Sequence, residues 1–222
     1  MISFDSSTHT YTVDGDSSYT SVTTLLKSWF KPFDADKCLR SLKAHPNKYD
    51  GMSDEAIKEK WTKEGEEASA LGTALHADIE KFFQGVHVMN DSPEYSYFLR
   101  MISDLNPKVH KVEWRLCDHS IKLIGTIDFA SVNKDGTLDL YDWKRSKDIN
   151  KSYGFSILEE LSHIPASKYW QYTLQLNMYK HLAEKNGHKV RRMYIVCFHP
   201  NNLSYQKYHV ADLDLKNVLN RK

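Results

Sequence analysis

The hydrophobic and polar positions divide this chain into a helical front third and a strand-rich remainder. Residues 2–14 alternate like a short hairpin, with Thr10, Tyr11, Thr12 and Val13 running into Asp14-Gly15. Thr20 or Ser21 then caps a helix carrying Val22, Leu25, Leu26 and Trp29, and Pro32 ends it. A second helix runs from near Asp36 to a point before Pro46. Ser53 caps a charged helix over 54–63 that presents Ile57 and Trp61. A stronger helix over 66–83 spaces Leu71, Leu75, Ile79 and Phe82 as one buried stripe. Ser92-Pro93 opens the next, with Phe98, Leu99, Ile102 and Leu105, and Asn106-Pro107 closes it.

Three strands follow, over about 109–117, 121–132 and 137–144. A loop rich in Ser, Lys and Tyr spans 145–165, and a long helix runs from near Ser167 to Lys185 before Asn186-Gly187. A buried strand over 193–198, an edge strand over 204–210 and a short closing helix complete the pattern. Helix, three-strand meander, helix, strand is the order of an α/β fold with a mixed sheet between helices. Its last strand returns by a helical crossover.

Composition narrows the class without naming a function. A chain of 222 residues suits one sizeable domain, or one domain with an added helical lobe, and 41% hydrophobic residues supply a core. The net charge of +1 does not announce a nucleic-acid binder, but its distribution is uneven. From Lys27 to Lys48 six basic residues face two acids, and from Trp143 to Arg192 ten face four. Cys38, Cys117 and Cys197 are odd in number and form no C-x-x-C pair, which disfavours a zinc ribbon or disulfide framework and fits reduced, intracellular thiols. The N-terminus has no signal-peptide pattern and no apolar run approaches membrane-spanning length, so the expectation is an intracellular protein with no membrane association. A cytoplasmic protein, or a viral or phage protein acting in a host cell, fits, and an organelle address stays open.

The chemistry concentrates between Gly125 and Lys144. Asn133-Lys134-Asp135-Gly136 separates two apolar, β-branched segments, the mark of a hairpin. With a three-residue loop over 134–136, paired positions sum to about 270. That register sets Asp128 opposite Asp142, and the two-residue period puts Lys144 on the face of Asp142. Two carboxylates and an amine on one face suit a hard divalent cation and phosphodiester cleavage. The Trp143 carbonyl offers a further oxygen. A cross-strand salt bridge at a sheet rim is the plain structural alternative.

His76 and Glu80 share one face of the preceding helix, where an imidazole can be aimed at the metal. Gly72 in mid-helix suggests close packing or close approach of substrate. Glu113 is expected opposite about Gly125, to bind a second metal, orient a water or pair with Arg115, with Val112, Trp114 and Leu116 together on the other face. Gln175 and Tyr179 stand one turn apart on the long helix, an amide and a phenol able to bond phosphate or fix neighbours.

These residues resemble the RecB-type branch of the PD-(D/E)XK nucleases, whose relatives include mitochondrial genome maintenance exonucleases and phage and viral enzymes. The resemblance rests on G-T-A-L-H with I-E (72–80), the Glu of V-E-W-R-L (Glu113), G-T-I-D (125–128), D-W-K (142–144) and Q-L-N-M-Y (175–179). From its position before these motifs and its basic stretch, the hairpin and helical lobe over 1–65 is expected to arch over the site, and the resemblance implies a restriction-endonuclease-like core over 66–222 with a mixed central sheet flanked by helices. It implies metal binding by His76, Asp128, Asp142 and the Trp143 carbonyl, and catalysis by Asp128, Asp142 and Lys144 with Glu113, Gln175 and Tyr179. DNA contacts are expected at Gln175, Tyr179, Tyr172, Arg145 and Lys147, with Tyr153, Phe155, Tyr169 and Trp170 either stacking on bases or buried. The cofactor is Mg²⁺ or Mn²⁺. The iron–sulfur cluster of many relatives is not expected, because its four cysteines are missing. The implied activity is a metal-dependent DNA exonuclease acting on single strands or duplex ends, with replication or recombination proteins as partners. A structure-specific or restriction-like endonuclease and a non-catalytic nucleic-acid-binding module are the alternatives.

Overall fold

A computed structural model describes residues 1–5, 8 and 10–220. The chain opens with an antiparallel pair, β1 (Ile2–Asp5) and β2 (Thr10–Val13); residues 6, 7 and 9 between them lie outside the described residues. A two-residue strand, β3 (Thr20–Ser21), leads into α1 (Val22–Ser28), and the Ser21 hydroxyl caps it by accepting the Thr24 N–H. α2 (Ala35–Lys43) follows, capped by Asp34.

The two helices expected on either side of residue 65 are one. α3 (Asp54–Phe83) runs for 30 residues without a break. No proline interrupts it, and a Cβ at Gly65 would meet nothing within 4 Å, so helix geometry continues through a stretch exposed all round. Its first half buries only Ile57, against Leu39 and Tyr49. Its second half buries Leu75 and Ile79 on the sheet, while Leu71, expected in the same stripe, is 43% exposed. α4 (Pro93–Leu105) packs beside it, with the Ser92 cap and Pro93 expected from the sequence.

The meander is β4 (Val109–Asp118), β5 (Leu123–Val132) and β6 (Leu138–Lys144). A small hairpin, β7 (Ser152–Phe155) and β8 (Pro165–Ser167), comes next. Then follow α5 (Lys168–Lys185), β9 (Val190–Cys197), β10 (Gln206–His209) and α6 (Lys216–Leu219). The principal sheet is mixed and six-stranded, in the order β10-β9-β6-β5-β3 with β4 on the other edge of β5. β6 and β9 are parallel, joined by the crossover through α5. The sheet has a core on each face. Met193, Ile195 and Cys197 join α1 and α5, while Tyr194, Val196 and Phe198 join α3 and α4. No helix among the described residues is long and apolar enough to cross a membrane.

One feature of this sheet positions the site. Because β4 lines one whole edge of β5, both β6 and β3 must pair with its other edge. β6 takes residues 129–132 and β3 takes 123–124. Residues 125–128 are left in a fork, with no strand on that side, while β6 continues paired to β9.

Candidate metal centre

The hairpin between β5 and β6 holds the register expected from its turn: Phe129 pairs with Tyr141 and Val132 with Leu138. The Asn133 N–H donates to the Thr137 carbonyl, and Gly136 takes the positive φ of 81° that the tight turn requires. Asp128 therefore falls opposite Asp142, one step beyond the last ladder pair. By the alternation of antiparallel bonds the Trp143 N–H is due at the carbonyl of Ile127. It donates instead to Asp128 Oδ2, at 2.7 Å. The carboxylate thus spans the fork and is held in one orientation.

Glu113 is not where the sequence put it. Asp118 pairs with Leu123, so the four residues from His119 to Lys122 form the turn, and Lys122 takes a left-handed φ of 45° that no glycine signals. The register moves by three, and Glu113 lies opposite Asp128 rather than Gly125, unpaired between Val112↔Phe129 and Trp114↔Ile127. Its own φ is +46°, a strained value for a side chain with a Cβ. Val112 faces the α3/α4 core whereas Trp114 and Leu116 face the α5 core, so the three do not share a face. Ile127 and Phe129 are split between the same two cores. Both strands change face at this point, and the change delivers the two carboxylates to one place.

His76, from the sheet-packed half of α3, completes the group. His76, Glu113 and Asp128 each offer a ligand atom, all within 4.8 Å of one another. The His76 Nε2–H donates to the Trp143 carbonyl at 3.0 Å, since a carbonyl can only accept, and Nδ1 faces Asp128 Oδ2 at 3.8 Å. That is the arrangement of a metal-binding histidine oriented through its other nitrogen. The Trp143 carbonyl, expected as a ligand in its own right, accepts this bond with one of its two lone pairs. Asp142, also expected as a ligand, lies beside the three-residue set rather than in it. The nearby Glu80 carboxylate accepts a bond from the Gln84 side chain.

Electrostatics mark the same place. Burial, then Asp128 and Glu80, pushes the Glu113 carboxyl up to about 8, against the opposing pull of Arg115. Asp142 is 1% exposed, and burial pushes it up to about 6 although Lys144 pulls it down. The Lys144 ammonium sits 2.6 Å from Asp142 Oδ2, yet neither Asp142 oxygen accepts a hydrogen bond of ordinary geometry. Burial disfavours the charge on Lys144, but Asp142 and Asp128 outweigh it and hold the amine protonated. The Tyr172 ring lies over that ammonium, 4.7 Å from Nζ to the ring centroid.

Gln175 and Tyr179 are buried beneath these groups, the amide donating to the phenol oxygen at 2.8 Å. Burial first, then Asp142 and Asp128, drives the Tyr179 hydroxyl well above its ordinary range. The ring lies so close to Gly125 that an added Cβ would stand 2.6 Å from Cε1, so the glycine of G-T-I-D makes room for the tyrosine of α5. Gly72 needs no such room: its nearest neighbour, Arg145 Cβ, would be 4.0 Å from a Cβ there, which removes close packing as its reason.

The remaining candidates separate. Arg145 Nε donates to the buried Glu94 at 2.7 Å, whereas Lys147 is exposed. The Trp143 ring is 1% exposed among Phe98, Phe129 and Phe198, so it packs rather than offers a stacking face. Tyr169, Trp170 and Tyr172 pack against the α5 core, while Tyr153 and Phe155 are exposed. Sequence reasoning missed Tyr11, whose phenol bonds the Thr126 hydroxyl at 2.9 Å and lies in the field of Glu113 and Asp128. The one available signal was the T-Y-T-V-D-G opening, noted without a role.

Fold and site together define a mixed α/β protein with a His/Glu/Asp group that could hold a metal ion at a fork in its sheet. No family model matches the chain, and no curated protein matches it. Among solved structures, a crystal structure of SSO0001 is similar over 92% of this chain and 73% of that one, at 12% identity and a TM-score of 0.43. A likeness that distant adds nothing to the reading of the site.

Proposed function

We propose that this chain is a metal-dependent DNA nuclease of the RecB-type PD-(D/E)XK kind, acting as an exonuclease on single strands or DNA ends in replication, recombination or repair. The observation that carries the reading is the meeting of His76, Glu113 and Asp128 beside a buried Asp142 whose one close partner is the Lys144 ammonium. Buried carboxylates this close repel one another and cost stability unless countercharge is present, so the set suits a cation. One imidazole nitrogen with carboxylate oxygens fits Mn²⁺ or Mg²⁺. A divalent ion held by His76, Glu113 and Asp128, with Asp142 alongside, would polarise the phosphate and acidify water.

The chain's own groups supply the rest. Lys144 stays charged and can hold a water or the negative charge growing on phosphate oxygens. Asp142 keeps that ammonium in place, and Tyr172 covers it. Gln175 and Tyr179 form the floor under both carboxylates. The test is digestion of 5′- and 3′-labelled single-stranded and duplex DNA, and of covalently closed circles, with each metal. Release of products from ends, with closed circles intact and Mn²⁺ at least as effective as Mg²⁺, is expected. A ladder from circles makes the protein an endonuclease. Binding without cleavage in either metal makes it a non-catalytic module.

A further inference from the structure

The excursion between β6 and α5 begins and ends at the site. It leaves β6 at Lys144, forms β7 and β8, and enters α5 just before Tyr172, whose ring covers the Lys144 ammonium. Yet β7 is exposed along its whole length, with Tyr153 74% and Phe155 61% exposed. The base behind it is pinned: the Ser156 hydroxyl and the Ile157 N–H both donate to the Trp29 carbonyl at the end of α1. The rings therefore stand in water on a fixed base, although burying each would gain about 1.5–3 kcal/mol. Lys151 Nζ lies 5.4 Å from the Tyr153 ring centroid. Between Lys144 and Lys151 there are four basic residues and one acid, Asp148; Glu159 and Glu160 come only after the pinned base.

We infer that β7 is a stacking platform for the unpaired bases of a single-stranded nucleic acid, its backbone following the lysines toward Lys144. The inference rests on the nuclease reading of the site and adds to it the surface, Tyr153 and Phe155 of β7, that engages the bases. Aromatic faces among cations suit a polyanion that carries its own π-faces. In a duplex those faces are already stacked on one another and the rings gain nothing.

The test uses the full chain in EDTA, with labelled oligo-dT, the same strand carrying abasic sites, and a duplex. Tyr153→Ala with Phe155→Ala is expected to weaken oligo-dT binding by about 10- to 100-fold and to leave abasic-strand and duplex binding unchanged. Phe155→Ala with Tyr153→Phe, which keeps one π-face, is expected to recover part of the loss. Lys151→Ala is expected to lower the salt slope by about 0.7. An unchanged oligo-dT affinity in the double variant, an equal loss on the abasic strand, or no oligo-dT binding by the wild type overturns the inference and leaves the rings to a protein partner. Cleavage assays with Mn²⁺ separate the two readings. Ring-dependent binding without cleavage sinks only the nuclease assignment, and cleavage indifferent to the rings sinks only this one.

Discussion

Two acid–base pairs sit three residues apart on β6, and they are built differently. Asp139 accepts two bonds from the Arg191 guanidinium, at 3.0 and 2.7 Å, and a third from the Asn133 amide at 3.1 Å. Asp142 has one ammonium at 2.6 Å and no hydrogen bond at either oxygen. The first is a finished contact that ties the hairpin turn to β9. The second is buried, charged and incomplete, an arrangement that costs stability unless something else arrives. The contrast sets a fully bonded carboxylate that holds the fold beside a buried one with a single close partner on the same strand. Asp139 lies where β5 and β6 are still paired, and Asp142 lies past the fork.

Substitutions at the two positions are expected to diverge. Asp142→Asn and Lys144→Ala are each expected to lower DNA cleavage by about 10²- to 10³-fold, the scale for losing a charge-stabilising group. A thermal melt should find both variants folded. Wild-type cleavage in both would remove Asp142 and Lys144 from the chemistry.

The metal-free protein supplies the second test. Glu113 and Asp142 have raised carboxyl pKa values, so the folded state keeps protons that the unfolded chain has released. Stability should therefore fall as pH rises from about 4 to about 8 in EDTA. Mn²⁺ at about 100 times its Kd should restore roughly 2.7 kcal/mol, most visibly above pH 8, with proton release on binding below it. Melting curves across pH, with and without metal, check the sign. His76→Ala and Glu113→Gln should abolish the metal-induced shift.

A smaller effect probes what supports the incomplete pair. Gly125→Ala pushes a methyl into the buried Tyr179 ring and is expected to cost about 1–3 kcal/mol. Adding Tyr179→Leu should recover part of the lost stability without recovering cleavage. Smallest is Asp139→Asn, about 1–2 kcal/mol in a denaturant melt because Arg191 reaches solvent, with cleavage unaffected. A large loss of cleavage there would erase the distinction between the pairs.

The legible parts of this site were those controlled by short-range chemistry. Asn133 to Gly136 is a compact turn with a glycine where positive φ is needed, and the register of Asp128 and Asp142 followed from it. The β4–β5 turn carries no such mark. Lys122 occupies a left-handed position that lysine rarely takes, and that single conformation moved Glu113 from the margin into the metal group. The face change at Glu113 and Asp128 is likewise invisible to a two-residue period. The continuity of α3 was hidden because its middle is exposed on every side, and apolar spacing was the one signal available there. Gly125 was legible as part of a motif but not as a packing requirement, because its partner Tyr179 is 54 positions away.

That uninterrupted α3 has a mechanical consequence. Thirty helical residues span about 45 Å, with Ile57 seated among α2 and the loop after it at one end and His76 at the metal group near the other. Nothing at residue 65 acts as a hinge. The front lobe and the imidazole are therefore carried on one continuous helix, with Ile57 at one end and His76 near the other.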